Sequence, residues 1–454
     1  MKKSIPVILF VFIAAILMLF ISDFKFKPLD TLMKPPKVVG ENHAIQLAFE
    51  ASVDDGYRLI APVKGNNHAA FTFFDLDNDR KEEVVVFYSK TSDIDLVRMN
   101  VLACDSTGNW NSIADFESTY SEVQQVEFAD LNNDGISEII VGWGVSQNDL
   151  VKEMNVYMTT NIQRAVEFKS VFNDTYYDFK TVDVNSDGVT DILKVNYNSA
   201  LEGTEFKLVL LSYEDFQITE KSSIALDRAF SAVTNITYSY SKTTDETTVY
   251  VDGFKFESGM ATDCVRWNNQ SAQFVKDLRR YPPIGAVSSR STNIKCYDIN
   301  GDKIIEIPTE EEIPASEVIV TGTDAPKKQK LIKWVQLENY GYKNIQNTIL
   351  NLNYSYGVKI NDDIPASFTV VNNQTTGMLT FYKLDYTVGQ PAKGEALFSI
   401  KAVEAVDNDA FLNYKYKFMT KNRNYYYYCR IYEAGEAANL TKNKITKLLF
   451  FDFS

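Results

Sequence analysis

Residues 130–142 read Asp130-Leu131-Asn132-Asn133-Asp134-Gly135-Ile136-Ser137-Glu138-Ile139-Ile140-Val141-Gly142, a polar loop that runs straight into an apolar, β-branched segment. Oxygen-bearing side chains stand at loop positions 1, 3 and 5, and an acid returns at position 9. Three further stretches repeat the pattern: 75–87 (DLDNDRKEEVVVF), 183–195 (DVNSDGVTDILKV) and 298–308 (DINGDKIIEIP). Each follows aromatic or β-branched residues and leads into Val, Ile or Leu, so each loop lies between two strand-like runs. A tight loop with oxygens on alternate residues can aim them at one point, and a backbone carbonyl at position 7 would add another. A hard cation such as Ca2+ takes about six to eight such oxygens. Acidic hairpin turns without a metal are the plainer alternative, and four of them in register favour the cation.

An EF-hand opens in the same way, but it needs a glutamate at position 12 and helices on both sides. Position 12 is Val86, Val141, Lys194 and Thr309, and the flanks read as strands. The EF-hand is excluded. The loops start 55 residues apart (Asp75 to Asp130), then 53 (to Asp183), then 115 (to Asp298). The last gap has room for two units, which predicts one unit without its loop. Thr244–Thr248, ahead of Val249–Gly253, is the candidate remnant. Repeats of this length with about four strands each are the signature of propeller blades, and radial repetition protects sheet edges. The prediction is a mainly β chain with about five blades over residues 61–345.

At this point the loops resemble those of the FG-GAP/VCBS repeats found in integrin α-subunit propellers and bacterial surface proteins. The resemblance covers residues 61–345 and implies calcium between two strands of a blade. By position, site one would use Asp75, Asp77, Asp79 and Glu83; site two Asp130, Asn132, Asp134 and Glu138. Site three would use Asp183, Asn185, Asp187 and Asp191; site four Asp298, Asn300, Asp302 and Glu306. The carbonyls of Lys81, Ile136, Val189 and Ile304 would complete them. The family has glycine at position 6, where the chain turns sharply. Gly135 and Gly188 comply, but Arg80 and Lys303 do not, and a side chain at positive φ costs about 1 kcal/mol. Sites two and three are therefore expected to be the stronger. The family's FG and GAP strands are only loosely present, Gly142-Trp143-Gly144 being the nearest match.

The rest of the chain bounds the function. Of 454 residues, 46 are Lys or Arg and 60 Asp or Glu, a net charge of −14, which argues against nucleic acid as a partner. The only histidines are His43 and His68, so His-based triads and zinc hydrolase sites lack material in the body. Cys104, Cys264, Cys296 and Cys429 form no CxxC pair; buried free thiols are expected, with one disulfide as the alternative. Lys2 and Lys3 precede an uncharged apolar stretch, Ile5–Ile21. Residues 1–24 are thus expected to be a signal-anchor or signal peptide, with 25–60 a stalk and lead-in.

From 346 to 454 the loop pattern stops, and a small α+β domain is expected. Its strands are read at 377–384, 396–403, 414–418 and 425–432, and a helical segment at 436–450. The run Tyr425–Tyr428 reads as half-buried core, with a sugar-stacking platform as the alternative. The expected location is the cell membrane, single-pass with an extracellular domain, or secretion. The expected function is a binding or adhesion module for a protein or glycan at the cell surface, not an enzyme. Alternatives are a scaffold or sensor ectodomain, or a polysaccharide-active enzyme on the same fold.

Overall fold

The computed structural model describes residues 41–53, 56–146, 148–159, 168–200, 203–241, 246–276, 282–320, 327–338, 340–405 and 415–451. The described residues are mainly β, arranged in six largely antiparallel sheets, of which the first four succeed one another along the sequence and the last two interleave. The one parallel pairing joins Glu317–Ile319 to Phe368–Asn373. The second, third and fourth sheets are four-stranded meanders over 122–176, 178–225 and 230–276. The first gathers five strands between 57 and 117, and the fifth and sixth are built from 307–360 and 317–431, with Leu449–Phe450 added to the fifth.

Burial explains why the second strand of each early unit is almost continuously apolar. In Glu83–Lys90, Val84, Val86 and Tyr88 face Ile45 and Phe49 of helix Glu41–Ser52. The alternate residues Val85 and Phe87 face Val126, Val141 and Trp143 of the second sheet. In Glu138–Gly144, Ile139, Val141 and Trp143 meet the first sheet while Ile140 meets the third. A strand covered on both faces loses the alternating pattern and reads as one apolar run. Tyr250 likewise faces the fifth sheet while Val249 and Val251 face the third. Gly142 is required by packing, because a Cβ there would lie 2.2 Å from the Tyr176 hydroxyl.

The sheets stack in series, each packing against the next. The outer face of the first is covered by helix Glu41–Ser52, and the described residues show no closed barrel or propeller. The expected fourth unit is present as the sheet Phe230–Lys276. Thr244 and Asp245 of its supposed loop remnant lie outside the described residues, and Glu246–Thr248 open its second strand. Part of the expected stalk, residues 41–59, forms the capping helix and the strand Tyr57–Leu59. The expected boundary at 345 falls inside the strand Tyr342–Asn351, because the fifth sheet continues through it.

The single-pass membrane location is corrected. No helix among the described residues is long and apolar enough to cross a membrane, and Ile5–Ile21, on which that expectation rested, lies outside them.

Beyond 346, Met378–Thr387, Gln390–Glu404 and Tyr425–Ile431 form where strands are expected, while the one expected at 414–418 is shifted to Lys417–Lys421. The tail folds as two short helices, Glu433–Ala437 and Lys442–Leu448, whose Leu440, Ile445 and Leu448 enter the shared core of the fifth and sixth sheets. Thr441 caps the second helix by accepting from the Lys444 N–H. Tyr427 is buried with its hydroxyl donated to the Tyr354 carbonyl at 2.8 Å, and Tyr425, Tyr426 and Tyr428 are half-buried. Tyr427 and Tyr425 thus belong to the core, while Tyr426 and Tyr428 pack beside the exposed Phe418. Cys264, Cys296 and Cys429 are buried free thiols, and Cys104 is half-buried.

Candidate metal loops

All four loops are closed by the same spacing. Phe74 pairs with Glu83, Ala129 with Glu138, Val182 with Asp191 and Tyr297 with Glu306. Position 9 is therefore the first residue of the returning strand in the first three. In the fourth it is a bridge residue just ahead of Ile307–Glu312. The strands hold the loop ends at fixed separation and leave eight residues to turn.

Within that span the hydrogen-bond frame repeats. The position 1 aspartate accepts from the N–H groups at positions 5 and 6: Asp130 from Asp134 at 3.2 Å and Gly135 at 2.9 Å, Asp183 from Asp187 at 3.2 Å and Gly188 at 3.0 Å. Asp75 and Asp298 do the same with Asp79 and Arg80, and with Asp302 and Lys303. Position 3 accepts from the position 5 N–H in every loop, through Asp77, Asn132, Asn185 and Asn300. Position 5 accepts from the position 7 N–H at 2.8 Å in all four, through Asp79, Asp134, Asp187 and Asp302.

This winding requires two left-handed residues per loop. Position 6 has φ of 72° at Arg80, 89° at Gly135, 87° at Gly188 and 68° at Lys303, so the strain expected at the two non-glycine positions is real. Position 4 is also left-handed, at Asn78, Asn133, Ser186 and Gly301. At Asn78, Asn133 and Gly301 that requirement was legible in the sequence, since Asn and Gly enter this region most readily, whereas Ser186 gives no such sign. A second feature was overlooked. Position 2 is a buried anchor in each loop, Leu76, Leu131, Val184 and Ile299, and its N–H donates to the position 9 acid in loops one, two and four at 2.7–2.9 Å.

The position 9 acids carry the electrostatics. Glu83, Glu138, Asp191 and Glu306 are 5%, 1%, 3% and 0% exposed. Burial, with the loop's other acids adding to it, pushes Glu83 and Glu306 up to about 7, Glu138 to about 8 and Asp191 to about 6. Asp77 is raised for the same reasons. Asp302 moves the other way: burial opposes it, but hydrogen bonds from Asn300 and Gln336 hold it below its ordinary value. Asp191 accepts the Ser212 hydroxyl at 2.6 Å on one oxygen, while its other oxygen is buried without a partner.

Ligand-capable oxygens of Asp75, Asp77 and Glu83 lie within 4.8 Å of one another, as do those of Asp298, Asp302 and Glu306. These two acidic clusters could hold a metal ion, and they belong to loops one and four, the loops expected to be weaker. In loops two to four position 3 is an asparagine. Its amide donates to Glu138, Asp187 or Asp302. Loop four also receives the Gln336 amide from the neighbouring strand, at 2.8 Å to Asp302 and 2.6 Å to Glu306.

Two loops touch. The Asn78 amide donates to the Gly135 carbonyl at 3.2 Å, and the Ser137 N–H to the Leu76 carbonyl at 2.7 Å. The segment leading into loop four is instead tied to the fourth sheet by a fully buried ion pair, Arg290 to Asp252 at 2.8 Å. Asp252 also accepts from the Thr262 hydroxyl, the Asn235 amide and the Cys296 N–H, two residues ahead of Asp298. No motif marks this pair in the sequence.

No family model and no curated protein matches the chain. Among solved structures, a hypothetical protein from Leishmania major is similar at 12% identity, covering 51% of this chain and 75% of its own, with a TM-score of 0.23. An exo-β-1,3-galactanase from Clostridium thermocellum is similar at 8% identity, covering 83% of this chain and 97% of its own, with a TM-score of 0.27. Both scores are too low for either likeness to bear on fold or function.

Proposed function

We propose that the chain is a binding module on a calcium-stabilised scaffold of propeller-type blades, and not an enzyme. The observation that carries this reading is the fourfold repetition of one loop frame around a buried acid. Each position 9 carboxylate is under 6% exposed, and a buried charge is unfavourable unless it is compensated by more than the single N–H it accepts from position 2 in loops one, two and four. A divalent cation supplies that compensation, and the donor set is made of hard oxygens. Asp75, Asp77, Asp79 and Glu83 would hold one ion, and the matching residues of the other loops one each. The ion would tie a loop to the strand that follows it, which is a structural role. The FG-GAP/VCBS resemblance and the run of four-stranded meanders support reading the early sheets as blades, the fourth without a loop. A scaffold of this kind presents loops to a protein or glycan partner. Equilibrium dialysis of calcium against the purified full-length chain tests the reading. The expected result is about four bound ions at millimolar calcium, falling by one in Asp134→Ala; no calcium bound would refute it.

A further inference from the structure

The fifth and sixth sheets enclose a cleft of about 690 Å³, within the roughly 300–1,000 Å³ of small-molecule sites. Its floor is apolar at Ile294, Ile332 and Leu350, all buried, and is crossed by a line of buried amides. Asn372 donates to Gln329 at 2.9 Å and accepts from Asn351 at 3.3 Å. At the mouth Asn353 donates to Gln374 at 3.2 Å. One rim carries Lys327, Lys328 and Lys330 in a chain whose net charge is −14. Lys330 is shared with Glu312 at 3.0 Å, whereas Lys327 and Lys328 are exposed and have no ion pair among the described residues.

We infer that this cleft binds an acidic saccharide, a short uronate-type oligomer. This deepens the binding-module reading and rests on it. The buried amides are spent on one another and hold the floor, whereas Asn353, exposed, and Gln374, half-buried, stand at the mouth, where an amide can both donate to and accept from sugar hydroxyls. The aliphatic floor suits the C–H face of a pyranose, and the free ammonium groups suit a carboxylate. Glu312 on the same rim repels a carboxylate there and so orients the chain. An extended peptide would instead seek a free strand edge, and the nearest one is covered, since the Val318 N–H donates to the Lys327 carbonyl at 2.8 Å. Among the described residues Glu312 is the one carboxylate lining the cleft, where glycoside hydrolysis uses a pair.

The test is calorimetric titration of the purified full-length chain, in millimolar calcium, with trigalacturonate, neutral galactotriose and triglutamate. Trigalacturonate is expected to bind about tenfold or more tightly than either comparator, and high salt should weaken it. Lys327→Ala with Lys328→Ala should lose about tenfold, and Gln374→Ala should weaken acidic and neutral sugars alike. Both variants alter exposed or half-buried side chains, and their melts check that they fold. Equal binding of galactotriose, equal or tighter binding of triglutamate, an unaffected double variant, or no binding of trigalacturonate each overturns the assignment. The calcium-dependent melting shift is measured on the same samples. Sugar binding lost with that shift intact sinks the cleft alone; the shift lost with sugar binding intact sinks the calcium reading alone.

Discussion

Replacing Glu138 by Gln separates a buried acid that awaits a cation from an ordinary turn residue. Glu138 is 1% exposed, and burial, reinforced by Asp134 and Asp130, raises it from 4.5 to about 8. Between those two values the folded state keeps a proton that the unfolded state has released. In chelator, stability from this group is therefore fully present below about pH 4.5 and is lost as pH rises through about 8. At about 1.4 kcal/mol per pH unit, the loss approaches 3–5 kcal/mol, an upper range because water entering the loop would relieve part of it. Glutamine keeps the shape and can still accept the Leu131 N–H, which bonds Glu138 at 2.7 Å, but it cannot ionise. In urea unfolding at pH 5, 6.5 and 8 with chelator, wild type should decline with pH more steeply than Glu138→Gln. In millimolar calcium the wild-type decline should flatten, because the cation favours the ionised form, and the variant should gain less from calcium. Parallel pH profiles for the two proteins in chelator would refute the reasoning.

Asp252→Ala or Arg290→Met leaves one partner of a fully buried ion pair alone, and each should cost about 3–5 kcal/mol in denaturant unfolding. Gly135→Ala meets no atom within 4 Å but sits at φ 89°, so its loss of about 1 kcal/mol should be the same with and without calcium. Arg80→Gly relieves a side chain at φ 72° and should raise the unfolding midpoint, a gain of about 0.5 kcal/mol. Tyr427→Phe removes the hydroxyl bond to Tyr354 and should cost about 1 kcal/mol, with no effect on calcium-dependent melting.

What could be read from the sequence was local and periodic. The loops were legible because one repeated hydrogen-bond frame fixes residue type at alternate positions, and the strands that follow them because burial on both faces leaves an apolar run such as Val84–Tyr88. Strand-to-strand partners were not legible. The return of Leu449–Phe450 to pair with Gly357 and Val358 leaves no signature near either segment. The boundary placed at 345 followed the end of the loop pattern, whereas the fifth sheet follows its hydrogen-bond ladder through Tyr342–Asn351. The ranking of the loops rested on position 6, glycine at 135 and 188 but basic at Arg80 and Lys303, with the fourth acid of loop one counted only as partial compensation. The carboxylates converge instead in loops one and four, through Asp77 at position 3 in the first and Asp302 at position 5 in the fourth. The buried Asp252–Arg290 pair joins residues 38 apart through the fold and was invisible.

The most direct test is thermal melting of the purified full-length chain in millimolar calcium, in magnesium and in chelator. A ligand that binds only the folded state stabilises it by RT ln(1 + [L]/Kd). With dissociation constants of about 10⁻⁴ to 10⁻³ M, each occupied loop adds roughly 1 kcal/mol at millimolar calcium. The account predicts a melting temperature raised by calcium, much less by magnesium, with part of the rise lost in each of Asp79→Ala, Asp134→Ala, Asp187→Ala and Asp302→Ala. A wild-type melt that is the same in calcium and in chelator would contradict it.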